Sequence, residues 1–327
     1  MAKVHPSWRR SGSHFGQPYG FQEELYAKIA VPPGEGGLSL IGTYFPGLAA
    51  LTGPRGKTYK SPKETELREW AAETFEMRRD KNGAELFRDL TKTAYITLHY
   101  LSEFRELFLQ REHHHLDGRG IMHLWDSFSR AVIEPKGVVF GDEIQQLPPR
   151  SDDLRGYIPK KPTGGGDDPE DDTYSVSNHP TALPGVAEPG GGRTFDKLAG
   201  ELMAFYRRGI SERPGVWGVL RPMIGEITPL FASGDMTNTT PAVSSLGNVD
   251  PYIRQQYGAD WEVDDVSFGD TATRPWPEGA LWAWRDRLVL CSCYNSGFYT
   301  PRDVQAFYEK VAQTMMERLG LREQARP

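Results

Sequence analysis

Between residues 94 and 110 the chain alternates in a way that helices do not. Ala94-Tyr95-Ile96-Thr97-Leu98-His99-Tyr100-Leu101 and Glu106-Leu107-Phe108-Leu109-Gln110 are rich in β-branched and aromatic residues and flank a polar break at Ser102-Glu103. That pattern predicts two antiparallel strands joined by a tight turn. Immediately downstream the period changes: Ile121, Leu124, Trp125, Phe128 and Val132 recur at three- and four-residue steps, which predicts a helix from about Gly120 to Ile133. Upstream, a strand is expected from Leu38 to Tyr44. A helix is expected from about Lys63 to Met77, with Leu67, Trp70, Ala71 and Phe75 on one face, Ser61 as its cap and Pro62 at its first position. Trp70 reads as a core anchor.

The C-terminal third repeats the alternation. Phe195, Leu198, Leu202 and Phe205 mark one face of a helix over 194–208, and a strand-like block runs from Val243 to Ile253. A further strand is expected over Trp261–Val266. Ala280–Trp284 and Arg287–Tyr294 predict a hairpin turning at Arg285-Asp286, and Pro301 opens a helix to about Leu319 with Val304, Phe307, Val311 and Met315 inward.

Composition adds the domain plan. With 327 residues, 38% hydrophobic and 25% charged, the chain is long enough for one large or two medium domains with a substantial core. Residues 159–193 turn acidic and Gly/Pro-rich, as in Gly164-Gly165-Gly166-Asp167-Asp168-Pro169, a composition that cannot bury enough apolar surface to order itself. They read as a linker or loops between an N-terminal lobe, 1–158, and a C-terminal lobe, 194–327.

Charge and cysteine usage narrow the partners. A net charge of −6, with no basic stretch interleaved with aromatics, gives no electrostatic case for nucleic acid or an anionic membrane. No run of about 18 apolar residues is present, and Met1-Ala2-Lys3-Val4-His5-Pro6 lacks a signal-peptide core, so the expected location is cytoplasmic. Cys291 and Cys293, the two cysteines, alternate along a strand and face the same way, and they read as reduced packing residues. Gly34-Glu35-Gly36-Gly37 lacks the lysine and spacing of a phosphate loop, and no Gly-x-Ser-x-Gly elbow occurs.

Chemistry concentrates in Glu112-His113-His114-His115-Leu116-Asp117-Gly118-Arg119-Gly120, between the second strand and the helix. Three adjacent histidines in extended chain point in different directions and converge poorly on one ion, so no metal is assigned. A neutral imidazole can both take and return a proton near neutral pH. Asp117 is placed to cap the helix.

The spacing His113-x-x-x-Asp117-Gly118 resembles the HxxxDG signature of the chloramphenicol-acetyltransferase-like superfamily of acyl-CoA-dependent acyltransferases and condensation domains. Tyr59-Lys60-Ser61-Pro62, Glu85-Leu86-Phe87 and Leu147-Pro148-Pro149-Arg150 resemble a fungal secondary-metabolite branch of the trichothecene 15-O-acetyltransferase type. The block Val243–Ile253 with Ser244-Ser245-Leu246-Gly247, then Tyr257-Gly258 and the block Trp261–Val266, are similar to a second family block. Glu112 stands where condensation-type members carry another histidine, and the Asp-Phe-Gly-Trp-Gly motif of plant enzymes is absent.

The resemblance implies an α/β fold of two lobes, mixed sheets flanked by helices, with a channel between them. Set beside the family pattern the chain reads as shortened, without an N-terminal part and a segment crossing between lobes. His113 is implied as the general base, Asp117 as the acid that keeps the turn in shape through an ion pair, Gly118 as the position that makes room for substrate, and Ser244, Ser245, Gly247 and Trp284 as channel lining. The implied reaction moves an acyl group, acetyl in the first instance, from acyl-CoA as co-substrate to a hydroxyl of a small secondary metabolite, in a monomer with no tightly bound cofactor. Two other readings stay open: a condensation or cyclisation enzyme acting on carrier-bound thioesters, and a non-catalytic relative serving as a binding module.

Overall fold

The hairpin is the spine of the fold. A computed structural model of the protein describes residues 9–11, 14–18, 50–53, 56–60, 67–91, 96–111, 116–135, 192–208, 239–259, 261–270 and 275–320, with Pro6 and Ala272. The elements in chain order are β1 (Arg9–Ser11), β2 (His14–Pro18), β3 (Ala50–Gly53), β4 (Gly56–Lys60), α1 (Leu67–Thr74), β5 (Phe75–Arg78), α2 (Gly83–Arg88), β6 (Thr97–Leu101), β7 (Glu106–Gln110) and α3 (Gly118–Ile133). They continue with α4 (Phe195–Arg208), β8 (Ala242–Asn248), β9 (Gln256–Tyr257), β10 (Trp261–Glu262), β11 (Glu278–Trp284), β12 (Arg287–Cys293) and α5 (Pro301–Leu319). The expected strand at Leu38–Tyr44, most of the linker over 159–193, and His113 lie outside the described residues.

β11 and β12 pair antiparallel from Glu278↔Cys293 to Trp284↔Arg287, and the two linking residues, Arg285 and Asp286, have φ of 46° and 61°. Positive φ at both centres of a two-residue loop matches the right-handed twist of the strands it joins. β8 adds to β11 in parallel, with a register shift opposite Leu281/Trp282, giving a mixed sheet in the order β12-β11-β8. A second mixed sheet, β5-β6-β7, joins a parallel pair to the predicted antiparallel pair of β6 and β7, and an antiparallel sheet β1-β2-β4-β3 forms near the N-terminus.

Helices cover both faces of the hairpin sheet. Trp282 and Trp284 share one face because they are two residues apart. Against it packs the start of α3: Leu116, Ile121, Met122, Leu124, Val249, Ile253, Val266, Phe268, Trp282 and Trp284 form one buried cluster. This core draws residues from both sides of the Gly/Pro-rich stretch. Gly279 points to the opposite face, where a Cβ would lie 3.0 Å from Tyr308 Oη of α5. There α5 packs, stopped at its start by the Thr300/Asp303 capping box with Pro301 and at its end by Gly320 at φ 64°.

Several expected faces are corrected. The helix predicted over 63–77 ends at Thr74, and Phe75–Arg78 pairs instead as a strand with Leu98–Leu101, leaving Phe75 exposed. Trp70 is half-buried. On α3, Val132 is exposed, whereas Met122, Asp126 and Ser129, one step round the helix, are buried. On α5 Phe307 is exposed, and Tyr308 takes the inward position. Phe195 and Leu202 of α4 are exposed, with Leu198 and Phe205 half-buried. The strand expected over Trp261–Val266 is two residues long. Cys291 and Cys293 are free thiols, as expected. Among the described residues, no helix is long and apolar enough to cross a membrane, and no cluster of three metal-ligating side chains occurs.

Candidate functional site

The motif turn is fixed at both of its described ends. At its C-terminal end Asp117 has extended backbone, φ −86° and ψ −179°, and its carboxylate accepts a hydrogen bond from Gly120 N at 2.7 Å. An acid there satisfies an otherwise unpaired helix N–H and meets the positive end of the helix dipole. Leu116, next to it, is 7% exposed and belongs to the core cluster. At the N-terminal end, one residue past β7, Arg111 is 2% exposed. Burial pulls its guanidinium down to about 9, and the carboxylates of Asp117 and Asp270 oppose that fall. The two carboxylates offset part of the cost of taking that cation out of water.

β7 itself is held by buried polar contacts. Gln110 donates to the Thr91 carbonyl, and its Oε1 lies 3.3 Å from Nε2 of His99, which is 2% exposed. His99 Nδ1 lies 3.2 Å from Glu76 on β5. Burial lowers the His99 pKa, and Glu76 and Gln110 oppose it without reversing the direction.

The second sequence block lies along α3. At the start of the helix, a Cβ on Gly118 would sit 2.5 Å from Leu246 Cδ2, so the space at this glycine is filled by a side chain of β8. One turn on, the Tyr252 ring meets His123 edge to face at 5.2 Å, and the Arg119 guanidinium lies 5.1 Å from the same ring. Mid-helix, Tyr257 Oη donates to Asp126 Oδ1 at 2.9 Å, Asp126 also pairs with Arg130, and Arg254 Nε stands 3.6 Å from it. Burial raises the Tyr257 pKa, and the neighbouring Asp126 raises it further. At the end of the helix Gly258, φ 62°, would put a Cβ 2.7 Å from Ile133 Cγ2. The two blocks therefore occur together in the sequence because one is the bed on which the other's helix lies.

The remaining expected site residues separate into two environments. Ser244, Ser245 and Gly247 are exposed on β8, the outer strand of its sheet among the described residues, with Gly247 at φ 72° and open space where its Cβ would be. Through Leu246 this edge runs beside the start of α3. Trp284 stands elsewhere, 1% exposed within the core cluster beside Trp282. Sequence patterning passed over Arg111, Asp270 and Asp126, and singled out Tyr257 only as half of the Tyr257-Gly258 pair, since apolar periodicity is blind to buried charge.

No protein-family model matches the chain. A curated fungal relative, named as the loline biosynthesis cluster 1 transcription factor lolU1 of Epichloe uncinata, is 27% identical over 145 residues, covering 39% of this chain. The match spans 29% of that protein's own length. Among solved structures, the TRI3 trichothecene 15-O-acetyltransferase of Fusarium sporotrichioides superposes with a TM-score of 0.63 at 15% identity, over 95% of this chain and 97% of that one. Mixed sheets flanked by helices, together with that likeness over 95% of the chain, give the protein the chloramphenicol-acetyltransferase-like fold.

Proposed function

We propose that the protein is an acyl-CoA-dependent O-acyltransferase acting on a hydroxyl of a small secondary metabolite, acetyl being the first acyl group to test. The observation that carries this reading is the likeness in fold to an acetyltransferase over 95% of the chain, in a sequence that also has His113-x-x-x-Asp117-Gly118 at the start of α3. In this reading His113 takes the proton of the acceptor hydroxyl as its oxygen attacks the thioester carbonyl. The C–S bond then breaks, and the coenzyme A thiolate leaves with that proton. Asp117 serves the reaction through the helix start and Arg111 rather than by contact. Ser244 and Ser245, exposed on the strand beside Gly118, are the proposed donors to the oxyanion. The name of the Epichloe relative would instead point to DNA, and a net charge of −6 weighs against it.

The test is release of free thiol from acetyl-CoA by wild type and His113→Ala, with hydroxylated extracts of a producing fungus as acceptor source. Thiol release that depends on extract, and falls roughly 10²–10⁴-fold in the variant while circular dichroism is unchanged, is the expected result. Silence of a folded wild type with acetyl and longer acyl donors would replace this reading with that of a non-catalytic binding module.

A further inference from the structure

We infer that Arg119, held over Tyr252 beside the motif turn, reads the phosphate of a phosphopantetheine thioester, the donor arm that coenzyme A and a carrier protein share. The identity of the ligand rests on the acyltransferase reading; its place follows from the charge pattern of one helix face. Arg119, His123, Asp126 and Arg130 are spaced by four, three and four residues, so they form one stripe along α3. Residues 252–258 lie along that stripe and contain no carboxylate. The carboxylate of the stripe, Asp126, is engaged by Arg130, by Arg254 Nε at 3.6 Å and by Tyr257 Oη at 2.9 Å. Asp117, two residues before Arg119, is turned into the helix start, where it accepts from Gly120 N. Arg119, Arg130 and Arg254 against one engaged carboxylate leave this face positive in a chain whose net charge is −6.

Arg119 is the cation of this face that no anion engages. Its side chain is exposed, and among the described residues no carboxylate pairs with it and no acceptor takes its N–H groups. What holds it is the Tyr252 ring, whose centroid is 5.1 Å from the guanidinium carbon. That ring is fixed in turn. It packs against the buried cluster, meets His123 edge to face at 5.2 Å, and its backbone N–H donates to Val249 O at 2.9 Å. An arginine placed by an aromatic ring has little freedom left to lose on binding, and its planar N–H fork matches the oxygens of a phosphate two at a time. In a pantetheine thioester the phosphate is at the end of the arm away from the reacting carbonyl, so its reader belongs beside the motif turn and not within it. Arg119, one residue past Gly118 and anchored on the second sequence block, meets that condition.

The experiment is isothermal titration of the full chain, wild type and Arg119→Gln, with coenzyme A, phosphopantetheine and pantetheine. Wild type is expected to bind both phosphate-bearing ligands about 10- to 100-fold more tightly than pantetheine, the scale of a hydrogen bond between charged groups, and to lose part of that preference in high salt. In Arg119→Gln the preference is expected to fall to near unity, with pantetheine affinity and circular dichroism unchanged. Arg119→Lys, which keeps the charge and not the fork, should restore part of it. Phosphopantetheine bound as tightly as coenzyme A supports a reader of the shared arm, open to a carrier as source; a further gain with coenzyme A supports the free cofactor as source. Equal binding of phosphopantetheine and pantetheine by wild type, or a preference that survives Arg119→Gln, overturns the assignment even where thiol is released from acetyl-CoA. An Arg119-dependent preference in a wild type that releases no thiol supports the binding site and overturns the acyltransferase reading. A folded wild type that binds none of the three overturns both.

Discussion

Gly258 is the position where one missing methyl group decides how α3 lies. Its φ of 62° is a conformation that side chains with a Cβ adopt at a cost of about 1–2 kcal/mol. A methyl there would also stand 2.7 Å from Cγ2 of Ile133, a stiff β-branched side chain, and such overpacking costs about 1–3 kcal/mol. Gly258→Ala is therefore expected to lower Tm by roughly 3–7 °C in differential scanning calorimetry. In an Ile133→Ala background the same substitution should cost only its backbone part. A Gly258→Ala variant that melts with wild type would mean that the helix end does not rest on this turn. The sequence made Tyr257-Gly258 visible as a pair but not its purpose, because the partner residues Asp126 and Ile133 come from a helix more than a hundred residues earlier. Gly118 is similar: the HxxxDG spacing drew attention to it, and only the fold shows Leu246 in the space beside it.

Elements with a local cause were legible, and elements with a distant cause were not. The β11–β12 hairpin follows from alternation around a turn, and the bounds of α5 follow from Thr300-Pro301 and Gly320, all within a few residues of the structure they specify. β5 has no such signal. Phe75–Arg78 continues the helical spacing of Leu67 and Trp70, and it becomes a strand because β6, some twenty residues on, offers it a parallel edge. The buried polar set of that sheet was equally hidden, and it leads to a pH prediction. Burial holds the His99 pKa below the ordinary value of about 6.5, so between the folded and unfolded values the unfolded chain binds more protons than the native one. The stabilisation is complete above about pH 6.5 and is lost as pH falls from there toward the folded pKa. Thermal melts of wild type and His99→Gln between pH 7.5 and 5 are expected to converge as pH drops, since wild type loses stability that the variant never had. Parallel curves would show that His99 takes up its proton without penalty.

At the scale of the molecule, the sequence divides where the structure joins. The Gly/Pro-rich stretch over 159–193 reads as a linker or loops between two lobes, and each part does have its own sheet. Yet the buried cluster that covers Trp282 and Trp284 takes Leu116, Ile121, Met122 and Leu124 from before that stretch. Each large apolar side chain there contributes about 1.5–3 kcal/mol when fully buried, so a C-terminal part without α3 forfeits several such contributions, comparable to the whole stability of a domain. Asp126 would leave Tyr257 without its hydrogen-bond partner in the same cut. Residues 194–327 expressed alone are expected to bind a hydrophobic dye, to show red-shifted tryptophan emission and to melt without a cooperative transition. Co-expression with residues 1–158 should restore blue-shifted emission and a single transition. If 194–327 melts cooperatively with its tryptophans buried, then α3 is an accessory to that sheet, and the motif turn at its start must be held from the N-terminal side alone.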